Sequence, residues 1–445
     1  MLDLKGKHIV VAGGGLSGIA AANFCSSRGA RVSLSDTRHA NEITGLPQLD
    51  PSIELECGGH TEPLFLCADL IILSPGIPLH VPVINRALQA GIPVWGEIEL
   101  ASRFLNIPVL AITGTNGKST VTSLCGHILR HCGEQVFIGG NIGTPLIEAV
   151  GGAYSVAVVE LSSFQLETVT SFHPQVAVLL NISPDHLDRY ADMSSYMEAK
   201  QRIFSQQDAT DVVVLNQDDP QVLALAQGFP ARRICFSSSQ ILAEGLSLES
   251  SSVLWRHSAA EYRFDCNALQ LRGVHNLENV MAALAACSVR GHTPATMWKA
   301  ACEFTALPHR MELVRTLNGV RWYNDSKGTN IGSVEKGLRS FDSPLTLIAG
   351  GKDKGGDYAI LRPLLKEKQP QLILLGAAAE KMAAAWGDIC DITMATSMQD
   401  AVKYAHQKTH APGSVLLSPG CSSFDMFSSF TERGEVFTAL VQALE

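Results

Sequence analysis

Nine short apolar runs, each followed directly by a glycine-rich or polar turn, constrain the fold of this chain more than any other feature. They are KHIVVAGGG, ADLIILSPG, IPVLAITGT, SVAVVELSS, QVAVLLNIS, DVVVLNQDD, LTLIAGGKD, PQLILLGAA and GSVLLSPGC. Runs of this length and composition are typical of strands that are buried on both faces of a parallel sheet. Because helix-like stretches separate them, they predict repeated strand–helix–strand units and an α/β fold.

These units fall into three blocks, with predicted boundaries after residues 96 and 306. The length of 445 residues is sufficient for three domains with separate cores. Residues 237–271 are rich in serine and alternate between polar and apolar positions, which predicts small antiparallel strands added to the middle block.

Charge and cysteine content narrow the functional classes. The net charge of −9 argues against nucleic acid or a membrane surface as a partner. The eleven cysteines include no CxxC pair, and the chain enters its first strand without a leader-like segment. We therefore expect a cytoplasmic protein that binds neither nucleic acid nor membrane.

The first glycine turn has the form Gly13-x-Gly15-x-x-Gly18, and Asp36 ends the next apparent strand. A turn of this kind brings backbone amides close to a diphosphate, and an acidic residue at that distance suits a ribose. The same glycines also occur where a strand and a helix pack tightly. Since Arg38 follows the acid, the turn predicts a site for some nucleotide diphosphate, with NAD as one candidate.

The second turn is Gly114-Thr115-Asn116-Gly117-Lys118-Ser119-Thr120, between a predicted strand and a predicted helix. It lacks the first glycine of a full phosphate-loop motif, because Ile112 occupies that position. The remaining chemistry is intact: helix N-terminal amides and Lys118 suit phosphate oxygens, and Ser119 or Thr120 suits magnesium. The turn predicts a triphosphate site.

Further polar residues follow other predicted strands. Glu160 and His186 each follow an apolar run, and His186 is flanked by Asp185 and Asp188. A carboxylate and an imidazole beside a triphosphate suit magnesium ligation. In the third block, basic and hydroxyl side chains at strand ends, accompanied by the acid Asp325, predict a site for phosphate and for a small carboxylate: Arg310, Lys327, Thr329, Lys352 and Ser418.

Together these motifs resemble the Mur ligases, which build the peptide stem of peptidoglycan. The segments that carry the resemblance are TGTNGKST, GGNIGTP, VVELSSFQL, NISPDHLDRY, the predicted helix around Lys200, GVHNLENVMAALAAC, LPHRME, YNDSKGTN and AGGKDKG. The resemblance implies a Rossmann-like domain for a UDP-substrate at 1–96 and a central P-loop ATPase-like domain at 97–306. It also implies a C-terminal Rossmann-like domain for an amino acid at 307–445.

The resemblance is strongest to members that add D-glutamate to UDP-N-acetylmuramoyl-L-alanine, and it implies roles for individual residues. The residues implied at the UDP-substrate are Leu16, Ser17, Asp36, Thr37, Arg38, Ser74 and Asn141. Those implied at ATP are 114–120, Asn276, Arg310 and Asp325, and those implied at D-glutamate are Lys327, Thr329, Lys352, Ser418 and Phe424. The metal-linked residues are Ser119, Glu160, His186 and Lys200 as a carbamate, and Lys118, His186 and Lys200 are implied to be catalytic. Gly328 stands where the resemblance leads us to expect alanine, a difference that we expect to be neutral.

The implied reaction is amide ligation by a monomer that uses ATP and two Mg²⁺ ions. ATP converts a carboxylate to an acyl phosphate, which an amine then attacks while the domains close to exclude water. Three alternatives stay open: a sister ligase with another amino acid, a nicotinamide-dependent oxidoreductase based on the Gly13 turn, and an ATP-hydrolysing binding protein. The oxidoreductase leaves the Lys118 turn and the third block unexplained.

Overall fold

Each of the nine apolar runs contains a strand in the computed structural model, and each of those strands pairs parallel with a neighbour. The structure describes residues 2–186, 189–257, 260–271, 273–305, 307–341 and 344–445. The prediction of an α/β fold with parallel sheets is confirmed.

Five parallel strands form the first sheet, in the order β3-β2-β1-β4-β5. They are β1 His8–Ala12, β2 Arg31–Asp36, β3 Glu54–Cys57, β4 Leu70–Leu73 and β5 Val94–Gly96. The helices that accompany them are α1 Leu16–Ser27, α2 Glu62–Leu66, α3 Pro82–Gln89 and α4 Glu97–Ser102. Val10, Ala12 and Ile71 pack with Ile84 of α3, which buries one face of this sheet.

Nine strands form the second sheet, in the order β14-β13-β12-β11-β10-β9-β6-β8-β7. They are β6 Val109–Thr113, β7 Val136–Gly140, β8 Val156–Glu160, β9 Val176–Leu179, β10 Val212–Asn216, β11 Arg232–Ser237, β12 Gly245–Glu249, β13 Ser252–His257 and β14 Ala260–Asp265. Its helices are α5 Lys118–His131, α6 Ser163–Leu166, α7 Met193–Gln201, α8 Pro220–Leu225, α9 Val274–Ser288 and α10 Pro294–Glu303. The pairs β12–β13 and β13–β14 are antiparallel, which confirms the prediction for residues 237–271.

Six strands form the third sheet, in the order β15-β16-β20-β17-β18-β19. They are β15 Glu312–Leu317, β16 Val320–Asn324, β17 Leu345–Gly350, β18 Gln371–Leu375, β19 Ile392–Met394 and β20 Gly413–Gly420. Its helices are α11 Ile331–Arg339, α12 Arg362–Lys368, α13 Ala379–Trp386, α14 Met398–Lys408 and α15 Phe430–Gln442. Strand β15 is antiparallel to β16 and lies at the edge of the sheet.

The chain divides into two compact units. The first comprises Met1–Ile182, Ser194–Leu269 and Glu278–Glu303, and it contains the first and second sheets. The second comprises Ser183–Met193, Gln270–Leu277 and Phe304–Glu445, and it contains the third sheet. The three-domain boundaries at 96 and 306 stay predictions. Throughout the described ranges, every helix is too short or too polar to cross a bilayer.

Candidate active site

The predicted phosphate turn lies between β6 and α5, at the carboxyl edge of the second sheet. Gly117 has φ +89° just before α5 begins at Lys118, and a Cβ there would collide with the side-chain oxygen of Asn279. Glycine is therefore required by both conformation and space. The first backbone amides of this fourteen-residue helix face its N-terminal end, where they suit an anion.

Asn181, which follows β9, fixes the shape of this turn. Its backbone carbonyl accepts a hydrogen bond from the Thr115 amide at 2.9 Å, and its Oδ1 accepts one from the Asn116 amide at 2.8 Å. Its Nδ2 donates to the Asn116 carbonyl at 3.0 Å. Sequence reasoning did not single out Asn181, although its position directly after an apolar run is the signal that indicated Glu160.

Two lysines donate to the same turn. Lys118 Nζ donates to the carbonyls of Gly114 and Thr115, at 3.0 and 2.8 Å, and Lys200 Nζ donates to that of Gly114 at 2.8 Å. Lys200 is only 2% exposed, and its ammonium lies 4.7 Å from the centre of the Tyr196 ring. The structure thus brings Lys200, on α7, beside this turn, while its catalytic and metal-linked roles stay predictions.

Glu160 lies at the same edge of the second sheet, because β8 is the neighbour of β6 and pairs Glu160 with Ile112. Its Oε1 accepts a hydrogen bond from Asn141 Nδ2 at 2.7 Å. Its Oε2 is buried and has no hydrogen-bond partner within the described ranges. A buried carboxylate oxygen of this kind can receive a cation, and Ser119, which is also buried, is the second residue of the adjacent helix.

His186 belongs to the second unit and has a left-handed backbone with φ +58°. Its amide donates to Asp185 Oδ1 at 3.0 Å, and its Nε2 lies 3.6 Å from Asp185 Oδ2. Asp188, the other acid that flanks this histidine in the sequence, lies outside the described residues. Asn276 also belongs to the second unit and lies in the first turn of α9.

All seven residues predicted at the UDP-substrate line one cavity of about 430 Å³ in the first unit. The lining residues are Gly13, Gly15, Leu16, Ser17, Asp36, Thr37, Arg38, Ser74, Pro75, Gly76, Ile77, Gly140, Asn141, Gly143 and Gln165. The lining residues from Gly13 to Ile77 come together because the turns after β1, β2 and β4, three neighbouring strands, open at one edge of the first sheet. Those from Gly140 to Gln165 come from the end of β7, the turn that follows it, and α6. Sequence reasoning did not assign Ile77 or Gln165 to this site, although Gln165 lies within the segment VVELSSFQL.

Asp36 is the most strongly bonded group of this cavity. It accepts hydrogen bonds from the Gly14 amide at 2.7 Å and from the Arg38 backbone amide at 2.9 Å, and Arg38 Nη2 donates to its Oδ2 at 2.7 Å. Burial opposes ionisation, but the hydrogen bonds from Arg38 and Gly14 outweigh it and lower the pKa of Asp36 to about 2. Asp36 is therefore a fixed anion that positions both the glycine turn and Arg38.

In the second unit, Asp325 and Ser418 are hydrogen-bonded to each other, with Ser418 Oγ donating to Asp325 Oδ2 at 2.8 Å. Burial raises the pKa of Asp325 to about 7, against the opposing effects of Ser418 and Arg310. A Cβ at Gly328 would lie 2.5 Å from Asp325 Oδ2 and 2.8 Å from Ser418 Oγ. An alanine at position 328 would therefore have to displace the Asp325 carboxylate and the Ser418 hydroxyl, while the expectation that glycine is neutral here stays a prediction.

Of the five residues predicted at D-glutamate, the described part of the chain places Thr329 at a cavity that the other four do not line. Thr329 lines a cavity of about 180 Å³, together with Asp185, Asn330 and Lys354. Lys352 and Phe424 are exposed instead, with Phe424 at 68%. Ser418 is buried against Asp325, and Lys327 Nζ lies 4.8 Å from the centre of the Phe430 ring. The lysine at this cavity is Lys354, which sequence reasoning missed although it lies in the same turn as Lys352.

Three family models match the chain, and together they cover most of it. They are described as the Mur ligase MurD-like N-terminal domain at residues 7–96, the Mur ligase middle domain at 112–287, and the Mur ligase glutamate ligase domain at 309–421. Each match lies within one of the three predicted domains.

Curated relatives match over the full length. The chain is 52% identical over 447 residues to UDP-N-acetylmuramoylalanine–D-glutamate ligase of Syntrophotalea carbinolica, covering 100% of this chain and 99% of the relative. It is 49% identical over 448 residues to the protein of the same name from Geotalea uraniireducens, with the same coverage.

Solved structures share the fold at low sequence identity. A pseudomurein peptide ligase type C from Methanothermus fervidus superposes with a TM-score of 0.63 at 20% identity, over 99% of this chain and all of that one. A UDP-N-acetylmuramate–alanine ligase from Thermotoga maritima superposes with a TM-score of 0.61 at 18% identity, over 98% of this chain and 99% of that one.

Proposed function

This chain belongs to the Mur ligase family, and from that membership we propose that it is an ATP-dependent ligase that joins D-glutamate to UDP-N-acetylmuramoyl-L-alanine. The observation that carries the proposal is the hydrogen bond from Asn141 Nδ2 to Glu160 Oε1 at 2.7 Å. Asn141 lines the nucleotide cavity, and Glu160 lies beside the phosphate turn. One contact therefore joins a site for a nucleotide-linked substrate to a site for a triphosphate.

The chemistry that follows from this arrangement is activation of a carboxylate. A carboxylate oxygen of the UDP-substrate attacks the γ-phosphorus of ATP, and ADP leaves. The amine of D-glutamate, having lost a proton, then attacks the carbonyl carbon, and inorganic phosphate leaves as the amide forms. In this scheme the amides at the start of α5 and Lys118 bind the phosphates, and the first unit orients the UDP-substrate.

Magnesium fits the residues that are present. Within the described ranges Glu160 Oε2 has no hydrogen-bond partner. It is a hard oxygen ligand at the edge that also carries Ser119, and magnesium prefers such oxygens. When bound, the ion would neutralise negative charge where carboxylate and phosphate oxygens crowd together. His186 as a further metal-linked residue and a count of two ions stay predictions.

We propose that Lys200 carries a carbamate in the active enzyme. Its position supports this, because Lys200 is buried and its Nζ lies 2.8 Å from the Gly114 carbonyl, at the edge of the turn proposed for the phosphates. Conversion to a carbamate would replace the cation by an anion that can accept a metal ion.

We also propose that the cavity around Thr329 receives D-glutamate, with Lys354 as the partner of a substrate carboxylate. Lys354 Nζ lies 3.6 Å from Asp185 Oδ1, a separation that leaves the ammonium able to form a shorter bond with a ligand. Arg310, Asp325 and Asn276 at ATP, and a monomeric enzyme, stay predictions.

The test is a ligation assay with a panel of amino acids. Purified protein is incubated with ATP, magnesium and UDP-N-acetylmuramoyl-L-alanine, plus D-glutamate, L-glutamate, L-alanine, a diamino acid or a dipeptide, and products are identified by mass. We expect that, of these amino acids, only D-glutamate gives a ligated product and phosphate release. Incorporation of another amino acid would instead identify a sister ligase. Phosphate release that is independent of any amino acid would identify an ATPase. In a separate reaction with NADH, oxidation of the cofactor would favour the oxidoreductase.

A further inference from the structure

Two glutamates lie two residues apart in α4, and both are buried, but their hydrogen bonding differs. Glu99 accepts hydrogen bonds from the amides and hydroxyls of Thr170 and Ser171, at 2.6 to 2.9 Å, and from Arg103 Nε at 2.8 Å. Glu97 Oε1 accepts one from the Ile147 amide at 2.6 Å. The other oxygen of Glu97 is buried and has no partner in the part of the chain that the structure describes.

These surroundings shift the pKa values of the two carboxyl groups in opposite directions. Burial raises the pKa of Glu97 to about 7, and the charge of Glu148 adds to this, while the amides of Ile147 and Leu146 oppose it. For Glu99, burial is outweighed by hydrogen bonds from Ser171 and Thr170, which hold its pKa below the usual range. Near neutral pH, Glu99 is therefore ionised, whereas Glu97 is present in both its protonated and its ionised form.

The hydrogen bond of Glu97 leads to the wall of the nucleotide cavity. Its acceptor oxygen holds the start of the 3-10 helix Leu146–Ala149, which directly follows the segment 140–145. Gly140, Asn141 and Gly143 of this segment line the cavity. The segment is held at its other end by the Asn141 amide, which donates to the Glu160 carbonyl at 2.8 Å. The position of the 3-10 helix therefore sets how this wall faces a ligand.

We propose that Glu97, as a carboxylate, is a positioning residue that holds the 3-10 helix and thereby the cavity wall for the UDP-linked substrate. The inference rests on the proposed function for the identity of the ligand. A carboxylate accepts from backbone amides more strongly than a neutral carboxyl group does. Protonation of Glu97 therefore loosens the wall and weakens substrate binding, without any contact between Glu97 and the substrate.

The charged groups around Glu97 provide a way to test whether protonation of Glu97 weakens substrate binding. In the described ranges, the charged group that faces it from the 3-10 helix is Glu148, which is exposed. Helix α1 packs against α4 and offers a single titratable group, the buried thiol of Cys25, and strands β4 and β5 offer none. Removing the charge of Glu148 should therefore lower the pH at which Glu97 loses its proton, and the exposed position makes the substitution safe for folding.

The experiment is calorimetric titration with UDP-N-acetylmuramoyl-L-alanine over a pH range of about 5.5 to 8.5, which brackets the expected midpoint. For the unmodified protein we expect an affinity about tenfold weaker at the acid end, the loss of roughly one charge-assisted hydrogen bond. E97Q should bind weakly at every pH in this range. E148Q should show the same change of affinity with pH, but with its midpoint at lower pH. E99Q should show the change at the same pH as the unmodified protein, even if the substitution lowers the melting temperature.

Two results would overturn the inference. One is a change of affinity with pH that persists in E97Q, and the other is a midpoint of that change that does not move in E148Q. If E97Q fails to fold, E148Q decides alone. A protein that does not bind the UDP-linked substrate at any pH would contradict the proposed function itself. Binding without the expected shifts would contradict the role of Glu97 alone.

Discussion

Lys118 and Lys200 both donate a hydrogen bond to the backbone carbonyl of Gly114, at 3.0 and 2.8 Å. Lys118 is half-buried at the start of α5, whereas Lys200 is buried on α7. The first lysine is therefore accessible to phosphates that enter the turn, whereas the second is enclosed by protein. The two cations, although they share one acceptor, are suited to different tasks.

Replacement of Lys118 by Ala should remove most of the activity. The positive charge that Lys118 would bring to the phosphates has no substitute in the turn, so we expect a decrease in kcat of about 10²–10³, the usual effect of losing one electrostatic donor. Phosphate release in the presence of D-glutamate measures it. Lys7→Ala, at an exposed lysine, is the control and should be unchanged. Equal rates for both variants would rule out the role of Lys118.

Activity should depend on carbon dioxide through Lys200. Protein that has been exchanged into buffer free of carbon dioxide should lose activity and regain it with bicarbonate, because only a carbamate places an anion at this position. Lys200→Ala should be at least about tenfold less active, as expected for a group that supports a metal site, and should not respond to bicarbonate. Indifference of the unmodified protein to bicarbonate, together with an active Lys200→Ala variant, would contradict the carbamate.

The nucleotide cavity was predictable because its parts follow a simple topological rule. Leu16, Asp36 and Ser74 come after three different strands, and the order β2-β1-β4 places those strand ends side by side. A parallel α/β pattern already implies that arrangement. Ile77 and Gln165 were not assigned to it, because neither directly follows a strand: Ile77 comes four residues after β4, and Gln165 lies in α6 of the second sheet.

The amino-acid site shows where residue types alone are insufficient. Lys352 and Lys354 lie in one turn, and both are basic residues after a strand. Only the backbone path of the turn decides that Lys354 lines the cavity while Lys352 is exposed. Ser418 was assigned to a ligand by its position at a strand end; its hydroxyl donates to Asp325, and its role at a ligand stays a prediction.

This pair of lysines provides a matched test of the amino-acid site. Lys354→Ala should raise the KM for D-glutamate about 10- to 100-fold, because a hydrogen bond between charged groups contributes about 1.5–3 kcal/mol. Lys352→Ala should change it less than about twofold, since an exposed charge is screened by water. Initial rates against D-glutamate concentration measure both. The reverse order of effects would move the site to Lys352.

Acid should destabilise the first unit through Asp36. The pKa of Asp36 is about 2 in the folded protein, below its ordinary value, so its stabilising effect is fully present above about pH 4 and is lost as pH falls toward 2. Asp36→Asn should therefore lower the melting temperature at neutral pH, and its difference from the unmodified protein should shrink as acid is added. Asp3→Asn, at an exposed acid near the N-terminus, should show no such convergence. A constant difference at all pH values would show that packing, not charge, is responsible.

Gly328→Ala should destabilise the second unit by about 1–3 kcal/mol, the usual cost of forcing a methyl group into occupied space. The new Cβ would lie 2.5 Å from Asp325 Oδ2 and 2.8 Å from Ser418 Oγ, so the hydrogen bond between those side chains must open. Calorimetry of the unfolding transition measures the effect. The double variant Gly328→Ala with Ser418→Ala is the control, because removing the hydroxyl vacates part of the space and should make the two losses less than additive. Strict additivity, or an unchanged melting temperature for Gly328→Ala alone, would show that Asp325 can move aside without cost.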